Sequence, residues 1–128
     1  MNPLVREAMA QGGIADITTT GRRSGLPRRI EIYFHHLDGH YYLTGRPGRR
    51  RDWEANIKAN PDFVLHLKGG VTADIPVIAE PSPGPEERAE ILRRALIESW
   101  GRDPEVVESS LDEWVEEAPF VRFRPLEG

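Results

Sequence analysis

Two short runs of arginine carry most of the chemistry legible in this chain. Between Thr20 and Asn60 nine basic side chains stand against four acidic ones, a local net charge of +5 in a chain whose formal total is −4. The first run reads Gly21-Arg22-Arg23-Ser24-Gly25-Leu26-Pro27-Arg28-Arg29, the second Gly45-Arg46-Pro47-Gly48-Arg49-Arg50-Arg51. A guanidinium presents a planar fork of donors that matches phosphate or carboxylate oxygens, Ser24 adds a hydroxyl, and glycines let backbone amides approach an anion. So many like charges repel one another unless a counter-anion or an acidic surface offsets them. Two basic loops at the ends of adjacent strands can converge on one anion, and a shared anion site is the expectation here. Neither Gly-x-x-x-x-Gly-Lys-Ser/Thr nor Gly-x-Gly-x-x-Gly occurs, so no P-loop or dinucleotide fingerprint is supported.

Other residues offer less. His35, His36, His40 and His66 invite a metal, but His35 and His36 point to opposite faces of a strand and no third close ligand is evident, so none is expected. Ser24 lies beside arginines rather than in a Gly-x-Ser-x-Gly elbow, which argues against hydrolysis. The chain has no cysteine, which removes thiolate nucleophiles, zinc thiolates and disulfides. Redox chemistry asks least of the protein's own side chains, because a bound cofactor carries the hydride. Trp53 directly follows the second basic run, where it either touches a planar ligand or supports the loop. Asn56, one turn after Asp52, can tie its helix to that same loop. Trp100 and Trp114 lie on apolar stripes and read as core.

The elements that must position these residues follow from periodicity. A chain of 128 residues is a single domain. Met1–Gln11 has apolar residues at helical spacing, and Gly12-Gly13 ends it. Ile14–Thr20 is a strand. Arg28–Leu37 alternates with Ile30, Ile32 and Phe34 on one face, and Asp38-Gly39 turns it back into His40–Thr44. A short helix capped by Asp52 ends at Asn60-Pro61, and Phe63–Lys68 and Val71–Ala79 form a second hairpin in which Pro76 belongs at an edge or a bulge. Two amphipathic helices follow, from near Glu86 to Trp100 and from Asp103 to Ala118, then a strand at Phe120–Arg124. About six strands without regular strand–helix–strand alternation predict a mainly β, antiparallel barrel with inserted helices, since closure protects the edges. From Glu80 to Glu117 twelve acidic residues outnumber four basic ones, which predicts a solvated surface and argues against nucleic acid. No apolar run spans a bilayer and no leader pattern is visible, so a cytoplasmic protein without an integral membrane segment is expected.

In this order the motifs resemble the deazaflavin-dependent nitroreductase family, coenzyme F-420-dependent oxidoreductases of the flavin-binding split β-barrel superfamily. The resemblance is carried by Ile17-Thr18-Thr19-Thr20-Gly21-Arg22-Arg23-Ser24-Gly25-Leu26-Pro27-Arg28, the Asp38-Gly39 hairpin, Gly45-Arg46-Pro47-Gly48, Trp53-Glu54-Ala55-Asn56-Ile57-Lys58-Ala59-Asn60-Pro61 and Glu86–Ala89. It implies an FMN-binding-protein-like split barrel that binds a reduced 8-hydroxy-5-deazaflavin coenzyme and passes its hydride to a small-molecule electron acceptor, a quinone, enone or nitro compound. FMN-dependent oxidoreductases and nonenzymatic flavin or tetrapyrrole binders of the superfamily are the alternatives. By position, the resemblance assigns Arg23, Ser24 and Arg28 to the coenzyme phosphate. Arg46 matches the family's second-loop lysine, and Arg22, Gly25, Thr44, Gly45, Gly48, Arg49, Arg50, Trp53 and Asn56 complete the expected coenzyme site. Backbone amides from Thr44 to Arg46 are the expected stabilisers of charge developing on the acceptor. Gly45 stands where the family often has serine, and Gly101–Glu117 lacks a tyrosine-rich substrate wall. Split barrels frequently pair, and Tyr33, Tyr41 and Tyr42, taken as exposed, motivate a homodimer.

Overall fold

The computed structural model describes residues 1–48 and 50–127. Six strands, β1 (Gly13–Thr20), β2 (Pro27–Leu37), β3 (His40–Thr44), β4 (Asp62–Leu67), β5 (Ala73–Glu80) and β6 (Phe120–Pro125), close into an antiparallel barrel in the order β1-β2-β3-β6-β5-β4. The ring closes because β1 pairs on both sides: Ile17 lies opposite Ile30 of β2 and opposite Leu65 of β4. Closure pairs every strand on both sides along part of its length, while Pro27–Tyr33 of β2 pair with β1 alone. Pro76 lies opposite Val64 in the β4–β5 ladder, and on its other side the β5–β6 ladder begins only at Val77 and Pro125, so the residue without an N–H stands at the locally open end of that pairing, where its carbonyl accepts from the Leu126 N–H at 3.0 Å.

Alternation on each strand fills the interior. Ala15, Ile17, Phe34, Leu43, Leu65, Val77 and Phe123 are almost fully buried, and a large apolar side chain so buried contributes about 1.5–3 kcal/mol relative to exposure. Helix α1 (Pro3–Gln11), with Asn2 Oδ1 accepting from the Val5 N–H at 2.8 Å, adds Val5 and Met9 to the same core. Its exit requires glycine: Gly12 has φ of +69°, and a Cβ there would lie 2.7 Å from the Phe34 carbonyl oxygen.

A second core lies outside the barrel. Helix α3 (Pro85–Arg94), the turn that follows it and helix α4 (Pro104–Glu117) bury Leu92, Leu96, Val107, Leu111 and Trp114 against Tyr42 and Phe120. The helix expected to run unbroken to Trp100 instead passes into a π-helical turn at Ala95–Ser99. That turn lays Trp100 edge-on to His35, 5.0 Å between centroids, and to Tyr33 at 5.8 Å. The three tyrosines taken as exposed are not. Tyr42 is buried under the helical layer, and Tyr33 and Tyr41 are half-buried against Trp100 and against His36 and Phe123.

Candidate active site

At the barrel end where β1 and β2 are joined by the first basic loop, a cavity of about 780 Å³ opens between that loop and helix α2 (Asp52–Ala59). The register explains its composition. Ala15, Ile17 and Thr19 point inward on β1, and their partners on β2 are Ile32, Ile30 and Arg28. The inward face of β2 therefore changes from core to cavity wall toward the loop: Ile32 packs against the core, whereas Ile30 is 37% exposed and, with Arg28, lines the cavity.

The loop is a closed turn. Gly21 N–H donates to the Leu26 carbonyl at 2.8 Å and Gly25 N–H to the Gly21 carbonyl at 2.9 Å. Ser24 Oγ accepts from the Leu26 N–H at 3.1 Å, which leaves its own proton free to be donated. Gly21 is needed for this closure because a Cβ would lie 2.5 Å from Ser24 Oγ and 3.2 Å from the Leu26 oxygen.

Helix α2 forms the opposite wall with Trp53, Asp52 and Asn56. Trp53 is half-buried, packing on the barrel core with part of its surface and lining the cavity with the rest. Asn56 forms a tie, but to a different loop from the one expected: its Oδ1 accepts from the Arg22 N–H at 3.1 Å and from Arg22 Nη1 at 2.9 Å. The reason is tertiary. Its buried side chain is directed toward β1, where Nδ2 also donates to Thr19 Oγ1 at 3.2 Å.

Of the residues expected at the coenzyme, the structure gathers Arg22, Arg23, Ser24, Arg28, Arg50, Trp53 and Asn56 around this cavity. Gly25, Thr44, Gly45, Arg46 and Gly48 do not line it, and Arg49 lies outside the described residues. Thr44 is buried, its hydroxyl donating to the Pro119 carbonyl at 2.7 Å. Gly45 passes close to Pro119 and to Arg51, whose Nη2 donates to the Arg46 carbonyl at 2.9 Å. Gly21 and Arg51, from the two basic runs, also line the cavity, as do Thr19, Ile30 and Asp52, which the sequence did not mark as site residues. Ile30 and Thr19 share the inward alternation that ends at Arg28, which is the signal that could have found them.

The arginines divide by what they already hold. Arg22 is spent on Asn56 and on Asp52, 3.3 Å from Nη2. Arg23, Arg28 and Arg50 are exposed cations with no acidic partner among the described residues. Three unpaired guanidiniums and a free hydroxyl proton beside the apolar surface of Ile30 and Trp53 suit a ligand that is planar at one end and anionic at the other. The histidines lie elsewhere. His66 joins Thr18 and Asp74 at 2.7 Å each, His36 reaches the Ala10 carbonyl, and His35 is buried with neither ring nitrogen bonded. Burial pushes the His35 imidazole down to about 4. Among the described residues no group of three or more His, Asp or Glu is placed to hold a metal ion.

Several solved structures share the fold. A conserved hypothetical protein of Mycobacterium tuberculosis, Rv2991, superposes with a TM-score of 0.73 at 17% identity, over 99% of this chain and 82% of that one. An F-420-H2-dependent reductase, FDR-A, superposes with a TM-score of 0.54 at 22% identity, over 87% and 92%. A structure described as a domain-swapped dimer gives 0.56 at 20% identity, over 94% of each chain. These likenesses show the split-barrel fold. No curated protein matches the chain. Residues 5–105, which contain the first barrel strands, both basic loops and α2, match the family described as F-420H(2)-dependent quinone reductase. The chain belongs to that family, and is an oxidoreductase that uses reduced coenzyme F-420.

Proposed function

We propose that this protein transfers hydride from reduced coenzyme F-420 to a quinone, with the coenzyme seated between the first basic loop and α2. The observation that carries the reading is the donor set of that cavity, three arginines without acidic partners among the described residues, next to Ile30 and Trp53. The coenzyme supplies the hydride when bound. Arg23 and Arg28, with the Ser24 hydroxyl, hold its phosphate, and Arg50 draws its acidic tail. Ile30 and Trp53 would pack on the ring system and exclude water from it. Arg46, exposed on the second loop, extends the positive field around the cavity mouth. The quinone enters the reading from the family's description.

Stopped-flow oxidation of the reduced coenzyme tests this, with menadione, a nitroaromatic and an enone as separate acceptors and FMN as a control donor. Menadione should be reduced faster than in a protein-free control and faster than the nitroaromatic. A panel in which only the nitroaromatic reacts overturns the quinone assignment. The same reading takes the protein as cytoplasmic and as a homodimer. Leu4, Ile14 and Leu26, each at least 59% exposed, are apolar surface for pairing, and a structural neighbour is described as a dimer.

A further inference from the structure

Asn56 is 3% exposed and its amide is committed inside the protein, to Arg22 through Oδ1 and to Thr19 through Nδ2. The two bonds to Arg22 differ in kind: one takes the backbone N–H, the other a guanidinium nitrogen. Together they fasten both the main chain and the side chain of the residue that opens the first basic loop. Asp52, one turn earlier on α2, takes the same guanidinium at Nη2. The second basic loop runs directly into α2 at Arg51, whose side chain folds back on the Arg46 carbonyl. Helix α2 thus holds both loops, one through the chain and the other through Asn56.

We infer that Asn56 is a positioning residue: acting through Arg22, it pins the Gly21–Leu26 turn to α2, so that Arg23, Ser24 and Arg28 already face the cavity before an anion arrives. This rests on reading the cavity as the coenzyme site. It also separates Arg22 from its neighbours, as a pin whose guanidinium is used within the protein. A loop ordered in advance does not spend binding energy on ordering, which is the advantage of fastening it. An unfastened Arg22 would leave the buried Asn56 Oδ1 without both of its donors.

Residue-resolved amide exchange on the full chain, with no coenzyme added, provides the first measurement. In the unsubstituted protein the Arg22 amide should exchange slower than that of Arg23. In Asn56→Leu that protection should fall about tenfold or more while the barrel strands keep theirs. Asn56→Asp should retain it, because a carboxylate accepts the same two bonds and the Thr19 hydroxyl can turn to donate. Titration with coenzyme F-420 is the second measurement, in which Asn56→Leu should raise Kd about tenfold or more. Unchanged Arg22 protection, or unchanged Kd, in folded Asn56→Leu overturns the inference. Should Asn56→Leu fail to fold, the Arg22 amide of the unsubstituted protein decides: exchange as fast as Arg23 overturns the inference, and slower exchange retained in Asn56→Asp supports it. If the unsubstituted protein does not bind the coenzyme, the coenzyme reading falls separately. Inorganic pyrophosphate then serves as probe, and equal affinity in Asn56→Leu overturns the positioning role.

Discussion

At the scale of single residues, the cavity's cations differ in how much each can give to a ligand. Arg23 and Arg28 are exposed and have no acidic partner among the described residues, so their donors are available without breaking an internal bond. Arg28→Ala and Arg23→Ala should each weaken coenzyme binding by roughly 1.5–3 kcal/mol, which fluorescence titration would show as a Kd raised more than tenfold with the fold intact. His35 supports a different prediction. Buried beneath Trp100 with both ring nitrogens unbonded, it is held near 4, whereas in the unfolded chain it titrates near 6.5. Between those values the unfolded chain takes up a proton that the folded one refuses. The contribution is therefore complete above about pH 6.5 and is lost as pH falls toward 4, by on the order of 3 kcal/mol at most. Thermal melts of His35→Leu across this range should show a flatter Tm profile than the unsubstituted protein. Equal slopes would remove His35 as the source.

At the scale of elements, the first basic loop matters as a shape as much as a charge. Its closure depends on Gly21, because the space a Cβ would need is taken by Ser24 Oγ and the Leu26 carbonyl. Gly21→Ala should force Ser24 out of its bond to Leu26, lowering stability by about 1–2 kcal/mol in urea melts and weakening coenzyme binding. Unchanged values in both assays would show that the turn adapts. The strands themselves were legible from residue alternation and turn chemistry: the Asp38-Gly39 hairpin pairs Leu37 with His40 as its dipeptide predicts, with Asp38 and Gly39 both at positive φ. The π-helical turn at Ala95–Ser99 was not legible, because the apolar stripe continues through it at helical spacing. Nor was the buried setting of His35, which alternates with Phe34 onto the outer face and is covered only because Trp100 folds over it.

At the scale of the whole molecule, charge is divided between a basic cavity mouth and helices α3 and α4, whose exposed faces are acidic. Salt bridges from Arg94 to Asp38 and from Arg122 to Glu87 join α3 to the barrel, and neither draws on the cavity's arginines. Light scattering at several micromolar concentrations should give the mass of a pair of chains. A monomer mass throughout would remove the homodimer. The sequence by itself determined the barrel, through alternation, turn dipeptides and the need to close six antiparallel strands, and it raised the expectation of an anionic ligand, through two concentrated arginine runs. Both properties are local and can be read residue by residue. Only the tertiary structure decided which arginines are free and which are used as struts. Arg22 and Arg23 are adjacent and identical in type, and their roles part because Asn56, 34 residues away from Arg22 in the chain, lies against one of them across the cavity wall. No periodicity within a single element encodes that meeting, since it depends on where β1 and α2 come to rest against each other.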